Sequence, residues 1–106
     1  MEIDPNLIAA RFNRGAIRYA KRDYRGSLAD FDRCVGLDPH LPAPYFNRAA
    51  VHDALGDRQA GIADLERFLQ IARNEAWKAQ AQQLLEIWAD PEKAKAVAEQ
   101  ARPNPH

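Results

Sequence analysis

The chain has 106 residues, 46% hydrophobic and 28% charged, with 15 Lys+Arg balanced by 15 Asp+Glu. That is about one soluble domain, and the absence of a basic excess counts against a nucleic-acid protein working by bulk electrostatics. One cysteine, Cys34, excludes an intramolecular disulfide framework and a Cys-based zinc site, and no apolar run approaches the roughly 18 residues of a spanning helix.

The start, Met1-Glu2-Ile3-Asp4-Pro5, has neither a basic head nor an apolar run. It reads as no secretory signal, and the expected compartment is the cytoplasm. Residues 1–6 echo Gly36-Leu37-Asp38-Pro39-His40 and look like the tail of a preceding repeat or an N-terminal lead. Either a longer array was cut there or the tail is a relic. Arg11, Arg14, Arg18, Arg22 and Arg25, at three- and four-residue steps, favour a polar natural edge over a cut.

Shifting the chain by 34 residues lays 7–39 over 41–73, and 11 of the 33 pairs are identical without a gap. Phe12/Phe46, Asn13/Asn47, Arg14/Arg48, Ala16/Ala50, Asp23/Asp57 and Asp30/Asp64 are among them. The repeats are set at 7–40 and 41–74. Ile8, Phe12, Ala16 and Tyr19 recur at helical spacing, and so do Leu28, Phe31 and Val35. Lys21-Arg22-Asp23-Tyr24 breaks the two runs, as Leu55-Gly56-Asp57-Arg58 does in the second repeat. Gly56 suits a left-handed C-cap and Asp57 an N-cap, so each repeat is helix–turn–helix. The first ends at Asp38-Pro39.

Small residues mark close approach between helices. These are Gly15 and Ala49 in the first helices, and Ser27, Gly61 and Cys34 in the second. A glycine inside a helix costs about 1 kcal/mol against alanine and needs such a reason. Phe68 stands where Cys34 does, which implies looser packing or a ring filling a gap at the end of the array.

Residues 75–89 read as one more helix, with Trp77, Ala81, Leu84, Leu85 and Trp88 near one face. Gln83 falls at the Gly15/Ala49 site, so no second helix is expected tightly against it. This fits a capping helix. Asp90-Pro91 restarts a helix in 90–106, thinly apolar through Ala94, Val97, Ala98 and Ala101, followed by a disordered tail from Arg102.

The 34-residue hairpin, the small residues at those sites, Gly56-Asp57 at the turn and Asp38-Pro39 at the end resemble the tetratricopeptide repeat. Phe12-Asn13-Arg14-Gly15 followed by Ala29-Asp30-Phe31 is similar to its Asn-Arg-Gly variety. Arg11 departs from the usual large aromatic and Arg22 from the usual glycine. The resemblance implies an all-α solenoid of two hairpins and a cap. It also implies a concave groove lined by the first helices: Ala9, Phe12, Asn13, Ala16, Tyr19 and Ala20, then Ala43, Phe46, Asn47, Ala50, Asp53 and Ala54. Alanines leave room, the rings give apolar contact, and an asparagine offers a donor and an acceptor to a peptide backbone. Phe12 and Phe46 have the competing reading of plain interhelical packing. The chaperone-tail clamp of some relatives would need cations at positions held here by Phe12, Trp77 and Ala81. Of its five positions, which also include Ala16, only Asn47 fits, and without cations little offsets desolvation of a carboxylate.

The 16-residue separation of Arg14 from Asp30 recurs between Arg48 and Asp64 and points to a cross-hairpin ion pair in each repeat. Arg11, Arg18 and Arg22 read as a solvated edge, or as a patch for an acidic partner. The neighbouring carboxylates Asp30/Asp32 and Asp64/Glu66 otherwise read as solvent-side pairs. Catalysis has thin support. His40, His52 and His106 lack metal spacing, Ser27 and Cys34 sit at packing sites, and no phosphate loop occurs. No enzyme activity and no cofactor are expected. The expected function is a scaffold binding another protein or peptide in the groove. Alternatives are self-association through the Trp77/Trp88 helix or the C-terminal extension, and an acidic ligand on the arginines. Neither a membrane nor nucleic acid is the expected partner.

Overall fold

The computed structural model describes residues 4–90. The helix expected to follow Asp90, the tail from Arg102 and residues 1–3 of the lead lie outside the described residues. Five helices follow one another: α1 (Pro5–Ala20), α2 (Tyr24–Leu37), α3 (Pro42–Ala54), α4 (Arg58–Ile71) and α5 (Glu75–Ala89). Each packs on the next, α1 on α2, α2 on α3, α3 on α4 and α4 on α5. This is the all-α solenoid of stacked hairpins.

Side chains set the helix starts. The carboxylates of Asp4, Asp23 and Asp57 accept from the backbone N–H groups of Asn6, Gly26 and Ala60, and the Asn74 side chain accepts from that of Trp77. These satisfy amides that a helix start leaves open. α3 has no side-chain cap and begins instead on Pro42, whose missing N–H removes one such donor.

The two intra-hairpin turns are built alike. In the first, the N–H of Arg22 donates to the Tyr19 carbonyl at 2.9 Å and that of Asp23 to Arg18 at 2.8 Å. In the second, Gly56 donates to Asp53 at 3.0 Å and Asp57 to His52 at 2.8 Å. This pair of bonds requires a left-handed residue. Gly56 supplies it at φ 83°, and Arg22 is forced there at φ 65°. The sequence departure at Arg22 therefore left the turn intact and placed a side chain in a sparsely allowed conformation.

The expected close approaches are present. A Cβ on Gly15 would come within 2.9 Å of the Phe31 ring, and one on Gly61 within 3.0 Å of Trp88 and 3.1 Å of the Ala49 carbonyl. Ser27, buried opposite Gly15, donates its hydroxyl to the Gly15 carbonyl at 2.7 Å. Phe68 takes the gap-filling role: it is buried, and its ring lies 5.2 Å from Phe46 and 6.4 Å from Trp77. The main core joins Tyr45, Ala49, Leu65, Phe68 and Ala81, with Leu84, Leu85 and Trp88 of α5 packed against it. Gln83 is exposed.

Candidate functional site

Two ion-pair centres fix the hairpins. Asp30, 1% exposed, receives Arg14 through Nε at 3.0 Å and Nη2 at 2.7 Å. Asp64, 5% exposed, receives Arg48 through Nε at 2.9 Å and Nη2 at 2.6 Å. The recurring 16-residue spacing is thus a bidentate pair in each repeat. The reading of Asp30 and Asp64 as solvent-side carboxylates is corrected, because both are buried beneath these forks. Asp32 and Glu66 are exposed. Arg14's hydrogen bonds hold the Asp30 carboxyl below its ordinary range against the opposing effect of burial. The paired guanidiniums of Arg14 and Arg48 are held above theirs by the same bonds.

The arginine edge is not one open patch. Arg18 Nη1 reaches Asp30 at 3.3 Å and Arg11 Nη1 lies 3.7 Å from it, so three guanidiniums gather on one carboxylate. Arg18 Nε also lies 3.8 Å from Asp23. Arg22 stands apart on the turn. Nor is the outer side of α1 wholly polar: Leu7 and Ile17 are 43% and 55% exposed. The arginine spacing hid this, since Arg11, Arg14 and Arg18 dominate the reading of α1 while Leu7 and Ile17 lie beside them.

The residues expected to line a groove fall into hollows along the first helices. One, of about 320 Å³, is lined by Ile8, Ala9, Phe12, Asn13, Asp38, Leu41 and Ala43. A second, of about 160 Å³, lies between α1 and α3 and is lined by Ala16, Tyr19, Phe31, Phe46, Asn47 and Ala50. A third continues toward α5 with Leu41, Pro42, Ala43, Phe68, Ala72, Arg73, Asn74 and Trp77. Phe12 and Phe46 are half-buried. Each also packs on the core, Phe12 at 5.5 Å from Phe31 and Phe46 at 5.2 Å from both Phe68 and Trp77. Both readings of these rings therefore hold at once. Among the described residues neither the Asn13 nor the Asn47 amide has a hydrogen-bond partner.

Asp53 lines none of these three hollows, and its carboxylate takes Arg58 Nε at 3.3 Å. Ala20 and Ala54 are exposed beyond them. Ile8, Asp38 and Leu41 were not anticipated as lining. Trp77, expected on the capping helix and as part of a self-association surface, lies in the ring cluster that borders the third hollow.

Among the described residues no group of three His, Cys, Asp or Glu side chains is placed to hold a metal ion. No described helix is long and apolar enough to cross a membrane. Burial pushes the Cys34 thiol above its ordinary range, which disfavours the reactive thiolate.

Residues 43–75 match the family model of the tetratricopeptide repeat. No curated protein and no solved structure matches the chain.

Proposed function

With residues 43–75 a tetratricopeptide repeat, a unit that generally mediates protein–protein interaction, we propose that this chain is a non-catalytic scaffold that seats an extended peptide segment along α1 and α3. The observation that carries this reading is the pair Asn13 and Asn47. They occupy the same repeat position, border successive apolar hollows, and have amides with no partner among the described residues. Each offers a donor and an acceptor, the complement of a peptide unit. Apolar side chains of the segment enter beside Phe12 and Phe46, where Ala9, Ala16, Ala43 and Ala50 leave space.

Each asparagine contributes about 1 kcal/mol net, the worth of one typical hydrogen bond, so an Asn13→Ala, Asn47→Ala double variant weakens binding by roughly thirtyfold. Affinity capture with mass spectrometry, wild type against this variant, is the test. Ala50→Arg fills the second hollow without removing a core ring, and it should release the same partners. Partners that ignore both changes leave the groove without a role. Self-association through α5 or the C-terminal extension competes with this reading. Trp88 is seated on Gly61 and the Trp77 ring meets Phe46 edge-on, yet Trp77 stays 43% exposed, so α5 keeps one apolar ring open to self-association. A concentration-dependent dimer in light scattering, broken by truncation after Asp90, would favour self-association instead.

A further inference from the structure

We infer that the outer face of α1 is a second docking surface, independent of the groove, for an amphipathic helix of another protein that carries a carboxylate beside apolar side chains. Leu7, Ala10, Arg14 and Ile17 lie at steps of three, four and three residues and share one face of α1. Their register partners on α3 are Leu41, Pro44, Arg48 and Val51. On α3 this face is closed: Pro44 is buried and Val51 is 0% exposed. Among the described residues, α2 lies against α3 on this side. On α1 the same face is open, with Ile17 at 55%.

The joint between α2 and α3 shows what the open face fits. Arg48 holds Asp64 with Nε and Nη2 and extends Nη1 to Asp32 of α2 at 3.1 Å. Arg14 uses the same two nitrogens on Asp30. Its third nitrogen, Nη1, has no hydrogen-bond partner among the described residues, and Arg14 shares its face with Leu7 and Ile17. Arg11 and Arg18 flank it and share the single charge of Asp30, so the edge has guanidinium in excess. An acid set among apolar side chains matches this pattern, as Asp32 matches Arg48. A phosphate polymer would leave Leu7 and Ile17 uncovered. A second copy meeting the face symmetrically would set arginine against arginine, and the α2 face that would complement it already lies under α3 in each copy.

The test titrates the full chain against a fluorescent, lactam-stapled peptide of residues 24–37, the α2 sequence with its Asp32. Binding is expected, weakened at least tenfold by Ile17→Asp or Leu7→Asp in the protein and by Asp32→Lys in the peptide, and unchanged by Ala50→Arg in the groove. Both protein substitutions are at exposed positions, and circular dichroism confirms that the variants are folded. The proposal is overturned if the peptide fails to bind, if it ignores Ile17→Asp and Leu7→Asp, or if Ala50→Arg displaces it. It is equally overturned if sedimentation shows the chain alone dimerising through this face, a dimer lost on Ile17→Asp.

Discussion

The two hairpins share a backbone plan and differ in how each is closed. In the first, the second helix places small Cys34 against the Ile8 carbonyl, Sγ at 3.6 Å, and the buried carboxylate has three arginines. In the second, the matching site holds Phe68, locked between Phe46 and Trp77. Its carboxylate has one arginine and His52, whose Nε2 lies 3.5 Å away. Position for position, Arg11 became Tyr45 and Arg18 became His52. Tyr45 donates its hydroxyl to the Pro39 carbonyl at 2.8 Å and lies under the Arg48 guanidinium. Both hairpins have ring contacts, Phe12 on Phe31 and Tyr19 on Tyr24 in the first. The second adds a ring where the first has Cys34, and the first adds arginines around its carboxylate.

The largest expected effect tests the ring side of that contrast. Phe68→Ala should destabilise the fold by about 4 kcal/mol, from lost burial and the cavity left between Phe46 and Trp77. Cys34→Ala should cost a small fraction of that, read from denaturant midpoints. The reciprocal change, Cys34→Phe, should overpack and destabilise, because Cys34 is fully enclosed and a ring has no space to enter. Similar losses for Phe68→Ala and Cys34→Ala would mean that the hairpins are closed alike.

Next comes the charge side. Arg48→Met leaves Asp64 buried with only His52 near and should cost about 3 kcal/mol. Arg14→Met leaves Asp30 with Arg18 and Arg11 and should cost clearly less, although the two arginines make the same bidentate contact. Equal losses in chemical denaturation would show that Arg11 and Arg18 do not support Asp30. Acid sharpens the same point. The folded carboxyl of Asp30 lies below its ordinary value, so the native state binds fewer protons there than the unfolded chain. Its stabilisation is full above the unfolded value of about 3.9 and is lost as pH falls through the lower folded value. An NMR titration of the Asp30 carboxyl should therefore show a depressed midpoint, and Asp30→Asn should flatten the acid limb of stability.

Much of this architecture was legible in the sequence because it repeats. Identity at 34 residues gave the hairpins, Gly56-Asp57 gave the turn and the following cap, and Arg14/Asp30 beside Arg48/Asp64 gave the ion pairs from spacing alone. What escaped was decided by distance across helices. Arg11 and Arg18 looked like an open edge because their reach to Asp30, on another helix, has no local signature. Ile17 and Val51 look equivalent in sequence, and only the stacking order separates a 55% exposed side chain from one fully enclosed. On the first helices the hollows were legible in large part, although Ile8 joins them and Asp53, Ala20 and Ala54 do not. Asp38 and Leu41 enter from the connection between hairpins, where helical periodicity gives no guidance.

The smallest expected effect isolates the turns, where backbone conformation matches and residue type does not. Arg22 and Gly56 make the same pair of bonds at positive φ, but only glycine does so without Cβ strain. Arg22→Gly should therefore stabilise by about 0.5–1 kcal/mol, with relief of strain outweighing the greater freedom of glycine in the unfolded chain. Gly56→Ala should destabilise by about 1 kcal/mol, even though a Cβ there meets no neighbour within 4 Å, which separates backbone strain from crowding. If Arg22→Gly instead lowers the melting temperature, the Arg22 side chain contributes more than its conformation costs, and the first turn is held by something other than the bonds it shares with the second.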